Sequence, residues 1–452
     1  MRLFLENLYP ANKNVINFLF AFFPLSFIAG NLIINLNLIL LVVCSIIFYK
    51  KKLLQIKFNT LDKLLFIFFS VILFTGFYNN IEFFLNKTFP FVGYNEIDSY
   101  NTIIKSILFL RYLLLYLTLR YLIENNIIEL KFIFASSTLC TLFVCFDIFF
   151  QFIFNKDIFG YEILDSGRRL SGPFGDEFIA GGYLQRFSLF AFFIFSIFKI
   201  SKIDKFSNYI ILIFFAVISL GLFLSGNRMP IILFYFSIIL ILFSLKSFRR
   251  LILPLILIIA LNFSLIVYFN KEARTNFAQL NYEISNMFIV LINLDFKNEK
   301  VGIRPPLYLK EFVSFYDTWI MNKYIGGGIK NFRYYCHIRP NKDRIYDHTC
   351  NMHPHNYYLE ILTETGIAGF TIIVIIFLLT LYRTYFEKLI LKKTNYKINN
   401  LILPFVFLFI IEVFPIRSSG SFFTTNNAAY FFIILSVLVA LTRKDDLIEN
   451  KN

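Results

Sequence analysis

Residues 249–270 read RRLILPLILIIALNFSLIVYFN. The nineteen residues from Leu251 to Phe269 carry no charge. As a helix they cover roughly 28 Å, close to the thickness of a bilayer's hydrocarbon core. Backbone polar groups at that depth must bond within their own segment, so a helix is expected. Working outward from this stretch, comparable apolar runs lie near 15–30, 32–49, 63–79, 103–122, 131–154, 183–199, 208–225 and 229–246 before it, ending with the run 250–269 itself. After it come 366–382, 400–416 and 427–442. The expected fold is an all-α polytopic membrane protein of about twelve transmembrane helices with one large, mainly helical extracytoplasmic loop. Gly30-Asn31 forms the hairpin between the first two runs, and no small-residue cleavage pattern follows the first, which reads as a retained helix rather than a removed signal.

Composition excludes an ordinary soluble domain, because 58% of the 452 residues are hydrophobic and only 16% are charged. The 62 Phe accompany abundant Ile, Asn and Lys, residues that AT-rich codons favour, and lipid-facing Phe needs no further purpose. A net charge of +15 would suggest nucleic acid in a soluble chain. In a polytopic chain the location of Lys and Arg matters more, and the expected partner is the lipid bilayer, not nucleic acid.

With the N-terminus in the cytoplasm, every cytoplasmic connection is basic: Lys50-Lys51-Lys52 with Lys57, Lys131, Lys199-Lys202-Lys205, Lys246-Arg249-Arg250, Arg383 through Lys397, and Arg443-Lys444. Short outer connections hold fewer cations, namely Lys87, Lys156 with Arg168-Arg169, Arg228, and Arg417. The positive-inside rule then places both termini in the cytoplasm. The expected organisation is residues 1–269 as helices one to nine, 270–355 as the extracytoplasmic loop subdomain, and 356–452 as the last three helices and a cytoplasmic tail.

Arginines left on the outer face call for explanation. Gly167-Arg168-Arg169-Leu170-Ser171-Gly172-Pro173-Phe174-Gly175-Asp176-Glu177 is a shaped turn that brings backbone NH groups and guanidinium groups together, as anion sites do. An ordinary polar connection is the alternative. In Ser225-Gly226-Asn227-Arg228-Met229-Pro230 the proline sits in the first turn of the next helix, which sets Arg228 beside unsatisfied backbone donors, suited to a phosphate. Arg417-Ser418-Ser419-Gly420 offers a further cation. Each arginine taken alone is also read as a snorkelling side chain.

All four histidines, His337, His348, His353 and His355, share a window with Cys336 and Cys350. Their spacing matches no common zinc pattern, so a disulfide between Cys336 and Cys350 is expected, with zinc as the alternative. Cys44, Cys140 and Cys145 fall in spans and read as packing residues. His355 stands at the membrane edge, where a neutral imidazole can take a proton from an attacking hydroxyl. Gly366 and Gly369 downstream permit close helix approach.

Together these residues resemble the O-antigen ligase and polymerase family. His355-Asn356, nine residues, then Gly366-Ile367-Ala368-Gly369 fits the ligase histidine pattern, and Arg169-Leu170-Ser171-Gly172 and Ser225-Gly226-Asn227-Arg228 look like its two arginine motifs. The likeness spans roughly residues 160–440. It implies a periplasm-facing glycosyltransferase that takes a glycan from undecaprenyl diphosphate to lipid A-core or a glycan acceptor. His355 would be its base, and Arg169, Arg228, Arg168 and Arg417 would hold the donor diphosphate, with Asn356, Glu364, Gly366 and Gly369 in support. Arg168 and Arg169 are adjacent, so either can be the matching arginine. The reading calls for no cofactor and no metal, and for inversion at the anomeric carbon. The histidine spacing favours ligase over polymerase, and a protein-directed transferase is a third variant. A transporter or lipid flippase is the alternative from another class. It would need ionisable groups in mid-membrane, and Arg111 and Asp147, which can pair with each other, are the candidates.

Overall fold

The computed structural model describes residues 2–53, 55–86, 96–164, 168–198, 204–346, 349–391, 396–418 and 420–449. Gly167, Lys87, Lys199, Lys202, His348, Ser419 and the 392–395 part of the basic connection fall outside them. The described chain is helical and has no strand.

Among the described residues eight helices are long and apolar enough to cross a membrane, and a ninth follows if Asn12–Ala21 and Phe23–Ala29, bent by 46°, count as one span. The expected count of twelve is not reached. The apolar helices Asn208–Leu224, Arg228–Ser244 and Leu401–Glu412 are 10–17 residues long. A 17-residue helix covers only about 25 Å, short of a hydrocarbon core of about 30 Å. The run expected at 366–382 begins earlier, because the Tyr357–Leu381 helix continues through Gly366 at φ +66°. That break explains why the apolar pattern starts only there.

Thr425–Lys444 is the central span, 89% buried, and packs chiefly against the Arg111–Glu124 helix. Phe69, Phe109, Phe422, Phe431 and Phe432 interlock beside it, with neighbouring ring centroids 5.1–6.4 Å apart. Part of the phenylalanine content therefore fills helix seams rather than facing lipid. Phe248–Phe269, the stretch that decided the fold class, is peripheral at 22% buried.

Ionisable groups are inside the bundle, but not as expected. Arg111 and Asp147 do not pair: Arg111 donates to Leu108 O at 2.9 Å and Tyr112 OH at 2.8 Å, while Asp147 accepts from Ile158 N at 2.8 Å. Asp147 is turned toward the connection that follows its own helix. One buried pair is Arg120 with Asp62, at 2.6 Å and both fully buried, and Tyr116 OH adds 2.7 Å to the same carboxylate. Asn59 caps the Thr60–Tyr78 helix through a reciprocal bond with Asp62. Arg443 reaches Lys57 O, tying the last helix into this end of the bundle.

At the other end lie the helices Lys271–Asn293, Leu307–Met321 and Phe332–Ile338. Gly327 N and Gly328 N donate to Thr363 O and Glu364 O, both at 2.9 Å, and Ile367 N donates to Lys323 O at 2.9 Å. The broken span thus lends its freed backbone groups to the turn that carries this subdomain. A Cβ on Gly366 would run into the Tyr324 carbonyl, and one on Gly326 into Gly366 N, so two glycines meet where no side chain fits.

Candidate functional site

Helices Asn31–Leu53, Ala180–Phe187, Arg228–Ser244, Tyr357–Leu381 and Thr425–Glu449 all begin at one end of the bundle, around a cavity of about 620 Å³. Their aligned dipoles give that space positive potential. Arg168, Arg169, Arg228, Arg417 and His355 line it. These residues lie up to 249 positions apart in sequence and meet in one space.

The two arginine turns are built on each other. Leu170 N donates to Leu224 O at 3.3 Å, and a Cβ on Gly226 would strike the Arg168 carbonyl. Asn227 staples the next segment, accepting from Gly181 N at 3.2 Å and donating to Phe178 O at 3.0 Å. Gly181 leaves the room for it, since a Cβ there would lie 2.6 Å from Ser225 Oγ. Arg169 lies over the Phe178 ring at 5.3 Å, and Arg228 pairs with Glu283 at 3.2 Å.

Arg417 enters from the far side and is held by Glu412 at 2.5 Å. Glu412 is shared with Arg186, whose Nη2 lies 2.8 Å and Nε 3.3 Å from its oxygens. Tyr357 OH donates to Glu412 at 2.9 Å, Arg186 also donates to Asn427 at 2.6 Å and Asn426 at 3.1 Å, and the guanidinium lies 4.8 Å from the Tyr430 ring centroid. A buried carboxylate bridged by two guanidiniums is a fully paired, fixed group.

His355 also lines the cavity, its side chain 40% exposed. Its Nδ1 lies 2.7 Å from Glu311 Oε1, and Asn351 Nδ2 donates to that same oxygen at 2.5 Å. Glu311 comes from the Leu307–Met321 helix. The hydrogen bond to Glu311 raises the His355 pKa above its usual value, against the opposing effect of burial. His353, whose ring centroid is 4.9 Å from that of His355, is pushed down to about 4 by burial and then by its neighbour's charge. His353 is therefore neutral near pH 7.

Cys336 and Cys350 form a disulfide with Cα atoms 5.8 Å apart, directly before Asn351. Among the described residues no group of three or more His, Cys, Asp or Glu stands ready for a metal ion. Asn356 does not line the cavity: its side chain caps the Tyr357–Leu381 helix by accepting from Tyr358 N at 2.9 Å, and it donates to Pro415 O at 2.6 Å and Arg417 O at 3.2 Å. It couples the histidine segment to the Arg417 turn. Glu364 is buried behind the cavity, Gly366 receives the Tyr324–Gly326 turn, and the Cβ space at Gly369 is taken by the Thr365 side chain of its own helix.

Three residues escaped sequence reasoning. Arg186 and Glu412 each interrupt an apolar helix, and an ionisable group inside a span was the available signal. Glu311 lies 44 residues from His355 in a polar loop, where no spacing rule joins them.

Fold and site together define a polytopic helical membrane protein with an arginine-lined cavity at one end of its bundle and a histidine at the cavity's edge. Residues 212–374 match the family model described as O-antigen ligase, so that segment is similar to the O-antigen ligase family. The segment holds Arg228 and His355, whereas Arg168, Arg169, Arg186 and Arg417 lie outside it. No curated protein matches the chain.

Proposed function

We propose that this protein transfers a glycan from undecaprenyl diphosphate to a hydroxyl of an acceptor sugar on the periplasmic face of the inner membrane, and that the transfer is ligation to lipid A-core. The observation that carries the reading is one cavity bounded by five arginines, five helix N-termini and a histidine. Five arginines against the carboxylates of Glu177, Glu283 and Glu412 leave two positive charges, suited to a doubly charged diphosphate diester.

Catalysis follows from where charge develops. The acceptor oxygen bonds to the anomeric carbon as the bond from that carbon to the diphosphate oxygen breaks, and the leaving lipid diphosphate keeps the electron pair. Arg168, Arg169 and Arg228 stabilise its growing charge, most strongly in the transition state. Arg417 and Arg186 share Glu412, so they shape the floor more than they add charge. The acceptor proton passes to Nε2 of His355, since Nδ1 is engaged by Glu311. Attack from the face opposite the diphosphate inverts the anomeric centre.

Polymerisation uses the same groups with a second lipid-linked repeat as acceptor, so the two activities differ in product. The test is gel and mass analysis of surface polysaccharide and lipid-linked intermediates in a deletion strain carrying wild type or His355→Ala. Ligation predicts long chains accumulating on undecaprenyl diphosphate in the variant. Single repeats on lipid A would assign a polymerase instead, and no change in either pool would sink the proposal.

A further inference from the structure

The proposed base does not stand alone. Nδ1 of His355 lies 2.7 Å from a Glu311 oxygen, and the Glu311 side chain is only 13% exposed against 40% for the histidine. Asn351 holds the same carboxylate oxygen at 2.5 Å and lies 3.4 Å from Nδ1. Asn351 in turn follows Cys350, which the disulfide fixes to the Phe332–Ile338 helix through Cys336. Glu311 is on a third element, the Leu307–Met321 helix, whose Tyr308 joins His355 in lining the cavity. Two segments of the outer subdomain thus converge on one imidazole edge, and the disulfide ties one of them to a third.

A carboxylate on Nδ1 does two things to a histidine: it selects the tautomer with the proton on Nδ1, which leaves Nε2 open as the acceptor, and it stabilises the imidazolium formed when Nε2 takes a proton. We infer that Glu311 is a positioning residue for His355, and that the outer subdomain thereby completes the catalytic base of a site whose cations are supplied by the membrane helices. This rests on the reading of His355 as the base. Other titratable groups acting on the pair are His353 on the same segment and Glu360 on the following helix, while Lys330 and Arg333 act on His353. Among the described residues Glu311 is the carboxylate within hydrogen-bond distance of the His355 ring.

The experiment uses the purified full-length protein in detergent. With only four histidines in the chain, ring-labelled histidine gives few NMR signals, and His355→Gln assigns the one of interest. In parallel, the pH dependence of kcat is measured with lipid-linked glycan extracted from a strain lacking this protein. Glu311→Gln, which keeps the shape and removes the charge, is expected to lower kcat about 10- to 100-fold with little change in donor KM. It is also expected to move both the His355 titration and the acid limb of kcat to lower pH by roughly one unit. Where Glu311→Gln does not fold, Glu311→Asp withdraws the carboxylate by one methylene and must move both readouts the same way by less. A His355 titration that stays in place would overturn the role of Glu311 and leave the functional reading standing. Full activity of His355→Gln would instead remove the functional reading itself.

Discussion

Glu412 lies between two guanidiniums that reach it from 226 residues upstream and five residues downstream. Burial makes that arrangement consequential, because a desolvated carboxylate costs several kcal/mol unless it is paired, and removing one partner leaves part of that cost unmet. Arg186→Gln is expected to lower stability by about 3 kcal/mol, read as a fall in the thermal unfolding midpoint in detergent. An unshifted midpoint would mean that Arg417 alone satisfies Glu412. Arg228 belongs to another category, being part-exposed and paired with Glu283 at the cavity. For Arg228→Ala the expected result is a drop of about 100-fold or more in kcat/KM with the fold intact, since it removes a donor aimed at developing charge. His355 adds a pH dependence. The base works only when neutral, and its pKa is raised by Glu311, so activity is expected to fall as pH drops through a value above the usual histidine range of about 6.5. An acid limb centred well below 6 would contradict that assignment.

Helices are where sequence reasoning was strongest and where it also missed. Apolar runs marked nearly every membrane helix, because the lack of water leaves the backbone no other way to be satisfied. Periodicity did not show that the Tyr357–Leu381 helix starts nine residues before its apolar run or that it breaks at Gly366. Leu359, Ile361 and Leu362 were legible as apolar, but the glycine's positive φ depends on a turn arriving from residues 323–328, a tertiary fact. Arg168, Arg169, Arg228 and Arg417 stood out in the sequence through the expected charge asymmetry, and His355 through the clustering of the histidines; the structure brings all five around one cavity. Glu311 did not stand out, because a glutamate in a polar loop is unremarked until the fold brings it to the histidine. Gly366→Ala tests the break directly. Its φ of +66° with ψ of −173° is a region open essentially to glycine, so strain of about 1–3 kcal/mol is expected in addition to the clash with Tyr324. Limited proteolysis within 270–346 should accelerate in that variant, and an unchanged digestion pattern would count against the turn as the subdomain's anchor.

At the scale of the whole molecule, the helix starts gathered at the cavity and the Asp62, Arg120 and Arg443 cluster at the opposite end describe a bundle with two chemically different ends. The proposed topology puts the first in the periplasm and the second in the cytoplasm. Impermeant thiol labelling of single cysteines placed at residue 282 and near residue 126 is expected to label only the first in intact cells with a permeabilised outer membrane. Labelling at 126 alone would invert the topology and remove the periplasmic site.

The Arg186–Glu412 bond also imposes an order on biosynthesis. At about 5–20 residues per second, the ribosome reaches Glu412 on the order of ten to forty-five seconds after Arg186 has been made. Through that interval the arginine waits in the nascent bundle without its carboxylate, at an insertion cost of about 2.5–3.5 kcal/mol if it sits at bilayer depth. The first half of the chain therefore enters the membrane incomplete, and arrival of the last two helices is what locks it. A truncation ending before Glu412 should be a preferred substrate for membrane quality-control proteases, although it would retain every arginine of the cavity except Arg417.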